Sequence, residues 1–162
     1  MQFLLRPAQG DDFETLWTID QQCFEPGISY SRFELKLYMR RRGAFTILAE
    51  SAETHEIVGF LVGECGRRGT GHIITIDVLS KVRRHGLGSR LLDAAEERMR
   101  TDRCSSVVLE TAVDNQDAIS FYKSRFYLVT GTIPRYYSNG VDAFVFTKVL
   151  AAGRVGASSV GS

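Results

Sequence analysis

The sequence predicts one mixed α/β domain, in which antiparallel hairpins come first and strand–helix–strand crossovers follow. Apolar runs of strand length alternate with stretches whose apolar residues repeat at helical spacing. In the first half of the chain short polar turns join neighbouring strand patterns, whereas in the second half helical patterns separate them. The predicted order of elements is therefore β α α β β β α β α β β.

The strand patterns are rich in Val, Ile, Leu, Phe and Thr and end at clusters of turn-forming residues. They predict strands over residues 3–6, 44–50, 57–65, 73–79, 106–111, 126–133 and 141–149. The segment Gly66–Gly71 is predicted as a hairpin loop. Asn139-Gly140 predicts the turn between the last two strands, because both residues tolerate the backbone angles of a tight hairpin.

Polar residues that cap helices mark the starts of the helical patterns. Asp11-x-x-Glu14 and Ser31-x-x-Glu34 resemble capping boxes, so they predict the first two helices, the second of which runs to about residue 42. A third helix is predicted from the turn at Gly86 to about residue 101. Asp114 or Asn115 is the expected cap of the fourth helix.

The composition fits a soluble globular domain over residues 1–150. The formal net charge of +1 gives no general reason to expect nucleic acid or an anionic membrane as partner. The three cysteines are widely spaced without a CxxC pair, so they predict reduced thiols rather than a disulfide framework or a zinc site. No signal peptide or membrane span is apparent, so a cytoplasmic location is expected. Residues 151–162 are small and rich in Gly and Ser, which predicts a disordered tail.

The segment Val82–Arg90 predicts a site for a phosphate group. It follows the strand pattern of residues 73–79 and opens the third helix, whose first N–H groups have no helical acceptor and carry partial positive charge. Two glycines in the pattern Arg83-x-x-Gly86-x-Gly88 let a bulky anion approach the backbone. The spacing fits neither a Walker loop nor the dinucleotide fingerprint.

Arg83-x-x-Gly86-x-Gly88 resembles the signature of the GCN5-related N-acetyltransferases (GNAT), in which this loop holds the pyrophosphate of acetyl-CoA. The predicted order of elements is similar to that of the same family over residues 3 to 150. The resemblance implies the GNAT fold, a mostly antiparallel central sheet with helices on both faces, and no metal. It also implies the residues that bind acetyl-CoA: Ile76, Val78, Leu79, Arg83, Arg84, His85, Gly86, Leu87, Gly88, Ser89, Asn115 and Tyr122.

Acetyl transfer to an amine requires a base for the amine and benefits from an acid for the leaving thiolate. Glu110 at the end of a strand, His72 at the start of another and Tyr122 on the fourth helix are the candidates. On the residues alone each also has a structural interpretation. Glu110 fits a solvated strand end, His72 a hydrogen-bonded loop end, and Tyr122 an ordinary core position.

The segment Leu109–Tyr122 resembles a block of RimI-type N-terminal acetyltransferases. In that block the Glu is the base, usually through water, and the Tyr protonates the CoA thiolate; Glu110 and Tyr122 match at the same spacing. Asn115 matches the Asn near the pantetheine. The strand Gly71–Val78 is similar to one of archaeal N-terminal acetyltransferases, in which the His shares the base role, and this implies the same for His72.

Two further segments resemble the walls that flank the peptide in protein N-terminal acetyltransferases. One implies that Tyr136 and Tyr137 bind substrate, and the other implies the same for Phe24, Glu25, Pro26 and Tyr30. The sequence also departs from the family. Phe126 stands where a Gly is usual, Val141 replaces a Glu, and Thr111-Ala112 replaces Val-Arg.

The resemblance implies transfer of acetyl from acetyl-CoA to the α-amine of a peptide or protein N-terminus, such as a ribosomal protein, by a monomer or weak homodimer. Two alternatives stay open. One is an acetyltransferase of the same fold that acts on a small amine or a lysine side chain. The other is a non-catalytic acyl-CoA-binding module. A nucleic-acid interface would rest only on Arg40–Arg42 and Arg67–Arg68, and the near-zero net charge gives it little support.

Overall fold

A computed structural model describes residues 1–150, so the predicted disordered tail lies outside the described residues. The predicted order of strands and helices is confirmed. The strands are β1 (Phe3–Pro7), β2 (Ala44–Ser51), β3 (Ile57–Cys65), β4 (Thr70–Val78), β5 (Ser106–Ala112), β6 (Leu128–Ile133) and β7 (Ala143–Val149). The helices are α1 (Phe13–Cys23), α2 (Arg32–Arg40), α3 (Leu87–Thr101) and α4 (Gln116–Ser124), with short 3-10 turns at Gly10–Asp12 and Ser80–Val82.

All seven strands form one sheet in the order β1-β2-β3-β4-β5-β7-β6. The β4–β5 pair is parallel, and the other neighbouring pairs are antiparallel. The parallel pair follows from the sequence, because α3 carries the chain across one face of the sheet between these two strands. The mostly antiparallel sheet predicted from the family resemblance is therefore confirmed.

Apolar side chains form a core on each face of the sheet, with helices covering both. On one face α3 and α4 contribute Leu87, Leu91, Met99 and Ile119 to a cluster with the sheet. On the other face α1 and α2 contribute Leu16 and Leu35, which pack against Phe60 and Val62 of β3. The helical spacing of these residues in the sequence explains which side of each helix is buried.

The parallel pair is hydrogen-bonded at one end only. Thr70–His72 of β4 pair with Ser106–Val108 of β5, and beyond that point the two strands diverge, although β4 continues to Val78 and β5 to Ala112. The register of β3 and β4 also shifts between Val62 and Gly63, which leaves Ile74 as the extra residue of a β-bulge. A cleft opens between the diverging strands, in the middle of the sheet.

Several predicted boundaries are wrong by a few residues. β4 begins at Thr70 rather than at residue 73, because Gly71 lies opposite Cys65 of β3 and Val107 of β5. α2 ends at Arg40 rather than at residue 42, since the chain turns there and the Ala44 N–H donates to the Arg41 carbonyl. The last two strands begin two residues later than predicted, at Leu128 and Ala143.

The two predicted capping boxes have different outcomes. At α2 the box is confirmed: Ser31 Oγ accepts from the Glu34 N–H at 3.1 Å, and Glu34 Oε1 accepts from the Ser31 N–H at 3.0 Å. At α1 the cap predicted at Asp11 is wrong. The helix begins at Phe13 after a 3-10 turn, in which Asp12 accepts from the Gln9 N–H and from Arg6. The Arg6 hydrogen bond lowers the pKa of Asp12 below its ordinary value.

The turn after α4 holds Phe126 in a strained backbone conformation. Its φ is +72°, a left-handed conformation in which a Cβ costs roughly 1–2 kcal/mol, and its side chain is 79% exposed. We expect Phe126→Gly to raise the free energy of unfolding by about 1 kcal/mol in urea denaturation, because relief of the strain exceeds the extra backbone entropy of glycine. Phe126→Ala is the matched control, since it removes the ring and keeps the Cβ. Equal stability of the Gly and Ala variants would contradict the strain.

Candidate active site

The cleft between β4 and β5 has a volume of about 500 Å³. Residues from both strand edges, from the N-terminal ends of α3 and α4 and from two loops line it. The lining residues on the strands are Ile73, Ile74, Thr75, Ile76 and Val78 of β4 and Leu109, Glu110, Thr111 and Ala112 of β5. A ligand with an extended apolar arm can therefore lie between two strand edges.

The N-terminus of α3 forms one end of the cleft. Gly86 precedes the helix with φ +73°, so the backbone turns in a left-handed conformation that favours glycine, and within residues 1–150 no side chain caps the helix there. The first N–H groups of the helix, beginning at Leu87, lack helical acceptors. Arg83 and Arg84 line the same end and are exposed. This end combines backbone donors with two cations, which suits a pyrophosphate.

Arg83 also braces the end of β4. Its Nε donates to the Val78 carbonyl at 3.0 Å, and the Cys23 thiol of α1 contacts the same carbonyl oxygen at 3.5 Å. The Val78 carbonyl is thus already engaged by two side chains. A ligand that pairs with the β4 edge must therefore make its hydrogen bonds at other backbone groups.

His72, Glu110 and Tyr136 meet on one face of the sheet beside the cleft. His72 Nε2 lies 2.9 Å from Glu110 Oε1, and the Tyr136 hydroxyl donates to the same oxygen at 3.1 Å. The register explains the first contact, because His72 lies opposite Val108 and Glu110 follows two residues later on the same face. The Glu110 side chain is 15% exposed, so this carboxylate is largely shielded and yet reaches the cleft.

Tyr122 lines the cleft from α4 and is almost completely buried. Its ring packs against those of Phe121, Tyr127 and Phe146, with centroids 5.2 to 5.8 Å apart. Burial raises the pKa of its phenol above the ordinary value. The hydroxyl therefore stays protonated at neutral pH and is able to donate a proton or a hydrogen bond into the cleft.

Two loops are joined to each other beside the cleft. The Ser138 N–H and hydroxyl, in the β6–β7 loop (residues 134–142), both donate to the Gly27 carbonyl of the α1–α2 loop (residues 24–31), at 3.2 and 3.0 Å. The loops are so close that a Cβ on Gly27 would lie 2.7 Å from the Asn139 Cβ. Tyr30 fixes the α1–α2 loop to the sheet, because its hydroxyl donates to the carbonyl of the bulge residue Ile74.

A pair of buried carboxyl groups lies beneath the α1–α2 loop. Asp20 of α1 and Asp77 of β4 are both inaccessible to solvent, and Asp20 Oδ1 and Asp77 Oδ2 have no donor within the described part of the chain. Burial raises the pKa of both groups, and that of Asp77 well above its ordinary value. One proton shared by the two carboxyls satisfies both oxygens. Asp20 Oδ2 also accepts from the Tyr30 N–H at 2.7 Å, so the pair holds the loop.

The chain matches one known protein family over more than half of its length. The model described as the acetyltransferase (GNAT) family matches residues 13–126, which is more than half of the chain. The chain belongs to the GNAT acetyltransferase family. It is therefore an acyltransferase that uses acetyl-CoA, and the cleft fits this donor: the anion-binding end lies at α3 and an apolar channel leads from it between the strands.

Two proteins of similar sequence and one solved structure resemble this chain over most of its length. The N-alpha-acetyltransferase daf-31 of Caenorhabditis elegans is 26% identical over 155 residues, which cover 91% of this chain and 82% of that protein. The N-alpha-acetyltransferase of Saccharolobus solfataricus is 26% identical over 160 residues, covering 91% of this chain and 93% of that protein. The structure of Ard1 from Thermoplasma volcanium superposes with a TM-score of 0.84 at 27% identity, covering 93% of this chain and 99% of that one.

The structure of this GNAT chain brings most of the predicted site residues to the cleft. The residues that line it are Phe24, Tyr30, Ile76, Val78, Arg83, Arg84, Gly86, Leu87, Gly88, Ser89, Glu110, Asn115, Tyr122, Tyr136 and Tyr137. Asn115 is also the cap of α4, where its Oδ1 accepts from the Ala118 N–H at 3.1 Å. His72 lies behind Glu110 and reaches the cleft through it.

Besides His72, four predicted site residues lie outside the cleft lining. The Leu79 N–H donates to the Val58 carbonyl of β3, so it is not free for a pantetheine arm, and the side chain packs into the cores. His85 is exposed, with its ring 6.4 Å from that of Phe3. Glu25 and Pro26 are exposed at a turn, in which the Glu25 carbonyl accepts from the Ile28 N–H, and Ile28 lines the cleft instead.

Several residues of the site have no counterpart among the residues predicted from the sequence. Cys23 and Ile28 line the cleft, Asp20 and Asp77 lie next to lining residues, and Glu64 lies beside His72. Acidic residues inside an otherwise apolar helix face and an apolar strand were a usable signal for Asp20 and Asp77. Burial raises the pKa of the Cys23 thiol to about 11, so this cysteine is protonated at neutral pH and is a wall residue rather than a nucleophile.

Within residues 1–150 no helix is both long and apolar enough to cross a membrane. In the same part of the chain, no three His, Cys, Asp or Glu side chains converge in a way that could hold a metal ion.

The buried Asp20–Asp77 pair predicts that stability falls as pH rises. The native pKa of Asp77 is raised above that of the unfolded chain, near 3.9, so the native state retains a proton that the unfolded state has lost. Above that pH, stability declines by up to about 1.4 kcal/mol per pH unit until the native pKa is passed. We expect Asp77→Asn, which keeps a donor for Asp20, to gain stability relative to wild type between pH 5 and pH 8 in urea denaturation.

Asp11→Asn, at an exposed position, is the control for loss of one negative charge. A loss of stability in Asp77→Asn that is the same at both pH values would contradict the shared proton.

Proposed function

We propose that this chain transfers the acetyl group of acetyl-CoA to the α-amine of a protein N-terminus, and that residues 1–150 are the catalytic domain. One observation carries the proposal. Tyr136, from the β6–β7 loop, donates to the same Glu110 oxygen that His72 contacts. The loop that would flank the acceptor is therefore hydrogen-bonded directly to the candidate base. The two relatives named N-alpha-acetyltransferase support the same acceptor class.

The proposed reaction is direct attack in a ternary complex. The amine loses a proton to Glu110, through water and with the help of His72, because only the neutral amine is a nucleophile. A C–N bond then forms to the acetyl carbonyl carbon, and the C–S bond breaks as the nitrogen loses its second proton to solvent. Tyr122 protonates the departing thiolate and recovers its proton from solvent. The products are the N-acetylated peptide, CoA and one proton.

The joined loops favour an α-amine over a side-chain amine of a folded protein. The Ser138–Gly27 hydrogen bonds close the space between the α1–α2 and β6–β7 loops, so an acceptor has to reach Glu110 past Tyr136 and Tyr137. An extended chain end fits this approach, whereas a surface lysine is flanked by backbone on both sides. A ribosomal protein as target, as in RimI, a cytoplasmic location and a monomeric or weakly dimeric state are proposals that rest on the family resemblance and composition alone.

The proposal is tested by thiol release from acetyl-CoA with short peptides that differ at their first two residues. One further peptide has a blocked N-terminus and an internal lysine. We expect release with free N-termini and none with the blocked peptide. Release with the blocked peptide would assign lysine acetylation instead. No release with any peptide would overturn the proposal and leave a small-amine enzyme or a non-catalytic acyl-CoA-binding module.

Glu110→Gln tests the base. Because the amide cannot accept the proton of the amine, we expect kcat to fall about 100-fold, with an unchanged Kd for acetyl-CoA measured by calorimetry. Glu56→Gln, which removes an exposed carboxylate paired with Lys81, is the control and is expected to keep wild-type kcat. An unchanged kcat in Glu110→Gln would remove Glu110 from this role.

Tyr122→Phe tests the proton donor against the core interpretation. We expect kcat to fall by about 10- to 100-fold, with Tm unchanged, because the ring still fills its place while the thiolate loses its acid. Tyr127→Phe is the matched control. The Tyr127 hydroxyl donates to the buried Glu96 at 2.9 Å, so loss of this hydroxyl is expected to lower Tm and to leave kcat unchanged. If Tyr122→Phe lowers Tm and leaves kcat unchanged, Tyr122 is a core residue and not the proton donor.

A further inference from the structure

Two apolar side chains of the α1–α2 loop belong to neither core of the sheet. Phe24 and Ile28 are half-buried, and within residues 1–150 they are not part of the apolar cluster on either face, although Cys23 and Tyr30 beside them pack against one cluster. Both side chains line the cleft. Apolar surface that the fold does not use in its own core is available to a ligand, because burying it removes it from water.

The hydrogen bonds between the two loops bring these side chains next to the tyrosines of the β6–β7 loop. Gly27, which accepts both hydrogen bonds from Ser138, directly precedes Ile28, and Ser138 directly follows Tyr137. The Ile28 N–H donates to the Glu25 carbonyl at 3.0 Å, so a turn fixes this residue. We call the cleft-lining residues of the two joined loops the acceptor pocket: Phe24, Ile28, Tyr30, Tyr136 and Tyr137.

Two tyrosine hydroxyls of the acceptor pocket already have hydrogen-bond acceptors. The Tyr136 hydroxyl donates to Glu110 at 3.1 Å, and the Tyr30 hydroxyl donates to the Ile74 carbonyl at 3.3 Å. An incoming side chain therefore meets the rings of these residues rather than free hydroxyl donors. Together with Phe24 and Ile28, the rings make the pocket mostly apolar.

The charges around the cleft are unevenly distributed. Among its lining residues in the described chain, Arg83 and Arg84 are the two cations, and both lie at the α3 end. The acceptor pocket has Glu110 beside it instead. A second carboxylate in the pocket would thus lie near a like charge without a cation to pair with, which makes its burial costly.

We infer that the acceptor pocket receives the side chain of the first residue of the substrate, that this side chain is large and apolar, as in Met, Leu or Phe, and that Ile28 determines this specificity. The inference rests on the proposed function. An α-amine and its side chain share one Cα, so an amine held beside Glu110 places that side chain close by, in the pocket. A first Ala or Ser leaves the apolar walls in contact with water, and a first Asp adds an unpaired charge.

The first test compares peptides that are identical after the first residue, which is Met, Leu, Phe, Ala, Ser or Asp. Thiol release from acetyl-CoA gives kcat/KM for each peptide. We expect the Met, Leu and Phe peptides to exceed the Ala and Ser peptides by about tenfold or more, and the Asp peptide by about 100-fold, because missing methylenes and an unpaired charge weaken binding to this degree. A preference for Ala, Ser or Asp, or equal values for all six, would overturn the inference and leave the proposed function intact.

The second test changes the pocket itself. We expect Ile28→Ala to lower the Met-to-Ala ratio of kcat/KM by about threefold or more, because part of the apolar wall is lost. Ile28→Lys supplies a cation, so we expect it to raise the Asp-to-Met ratio by about tenfold or more. Leu37→Ala, at an exposed position of α2 outside the cleft lining, is the matched control and is expected to keep the wild-type ratios. Wild-type ratios in both Ile28 variants would overturn the inference.

A binding measurement separates failure of the inference from failure of the proposed function. Calorimetry on the enzyme saturated with CoA gives the Kd of the same six peptides without turnover, and we expect the Met, Leu and Phe peptides to bind most tightly. That order of affinities without acetylation of any peptide would overturn the proposed function alone, whereas another order would overturn the inference. If Ile28→Lys does not fold, Phe24→Ala tests the same pocket and is expected to lower the Met-to-Ala ratio as Ile28→Ala does. An unchanged ratio in Phe24→Ala and Ile28→Ala would contradict the apolar pocket.

Discussion

The site depends on the divergence of β4 from β5. Two parallel strands in the middle of a sheet are normally hydrogen-bonded along their length, but here the pairing ends at His72 and Val108. Beyond that point the facing edges of the two strands are not hydrogen-bonded to each other. Their backbone groups therefore need another hydrogen-bond partner or a segment that covers them. The cleft is the consequence, and an acyl-CoA arm is a partner of suitable shape. The start of α3 lies at the same end because the chain enters it directly from β4 by way of the Arg83–Gly86 turn.

The same divergence places the candidate chemistry. His72 is the last residue of β4 that is paired with β5, and Glu110 follows its partner Val108 by two residues. The hydrogen-bonded His72 and Glu110 side chains therefore lie where the cleft begins. The acceptor has to come from the side of α1 and the β6–β7 loop, since α3 and α4 cover the other face. The Asp20–Asp77 pair is costly to bury, yet it ties this side of the cleft to β4 through the Tyr30 N–H. Buried polar groups thus set the shape of the acceptor wall, while apolar packing sets the donor channel.

Much of the fold was predictable because its signals are local. Strand and helix patterns, the Ser31–Glu34 capping box and the Arg83-x-x-Gly86-x-Gly88 loop each lie within a few residues of sequence, and the family resemblance supplied the sheet around them. Phe126 shows the limit of such signals: the turn keeps a left-handed backbone conformation without the usual glycine. The site residues that were missed depend on pairing between distant segments. Glu64 faces His72 only through the β3–β4 register, and Asp20 meets Asp77 only because α1 packs across β4.

In the proposed reaction, donor and acceptor meet in one cleft, at Glu110. The most direct measurement is the affinity, by calorimetry, of a conjugate in which the sulfur of CoA is joined through an acetyl bridge to the α-nitrogen of a peptide. We expect it to bind about 100-fold more tightly than CoA or the peptide alone, because one molecule then occupies both halves of the cleft. An affinity no greater than that of CoA itself would contradict the account, since the peptide half would then have no place beside the donor.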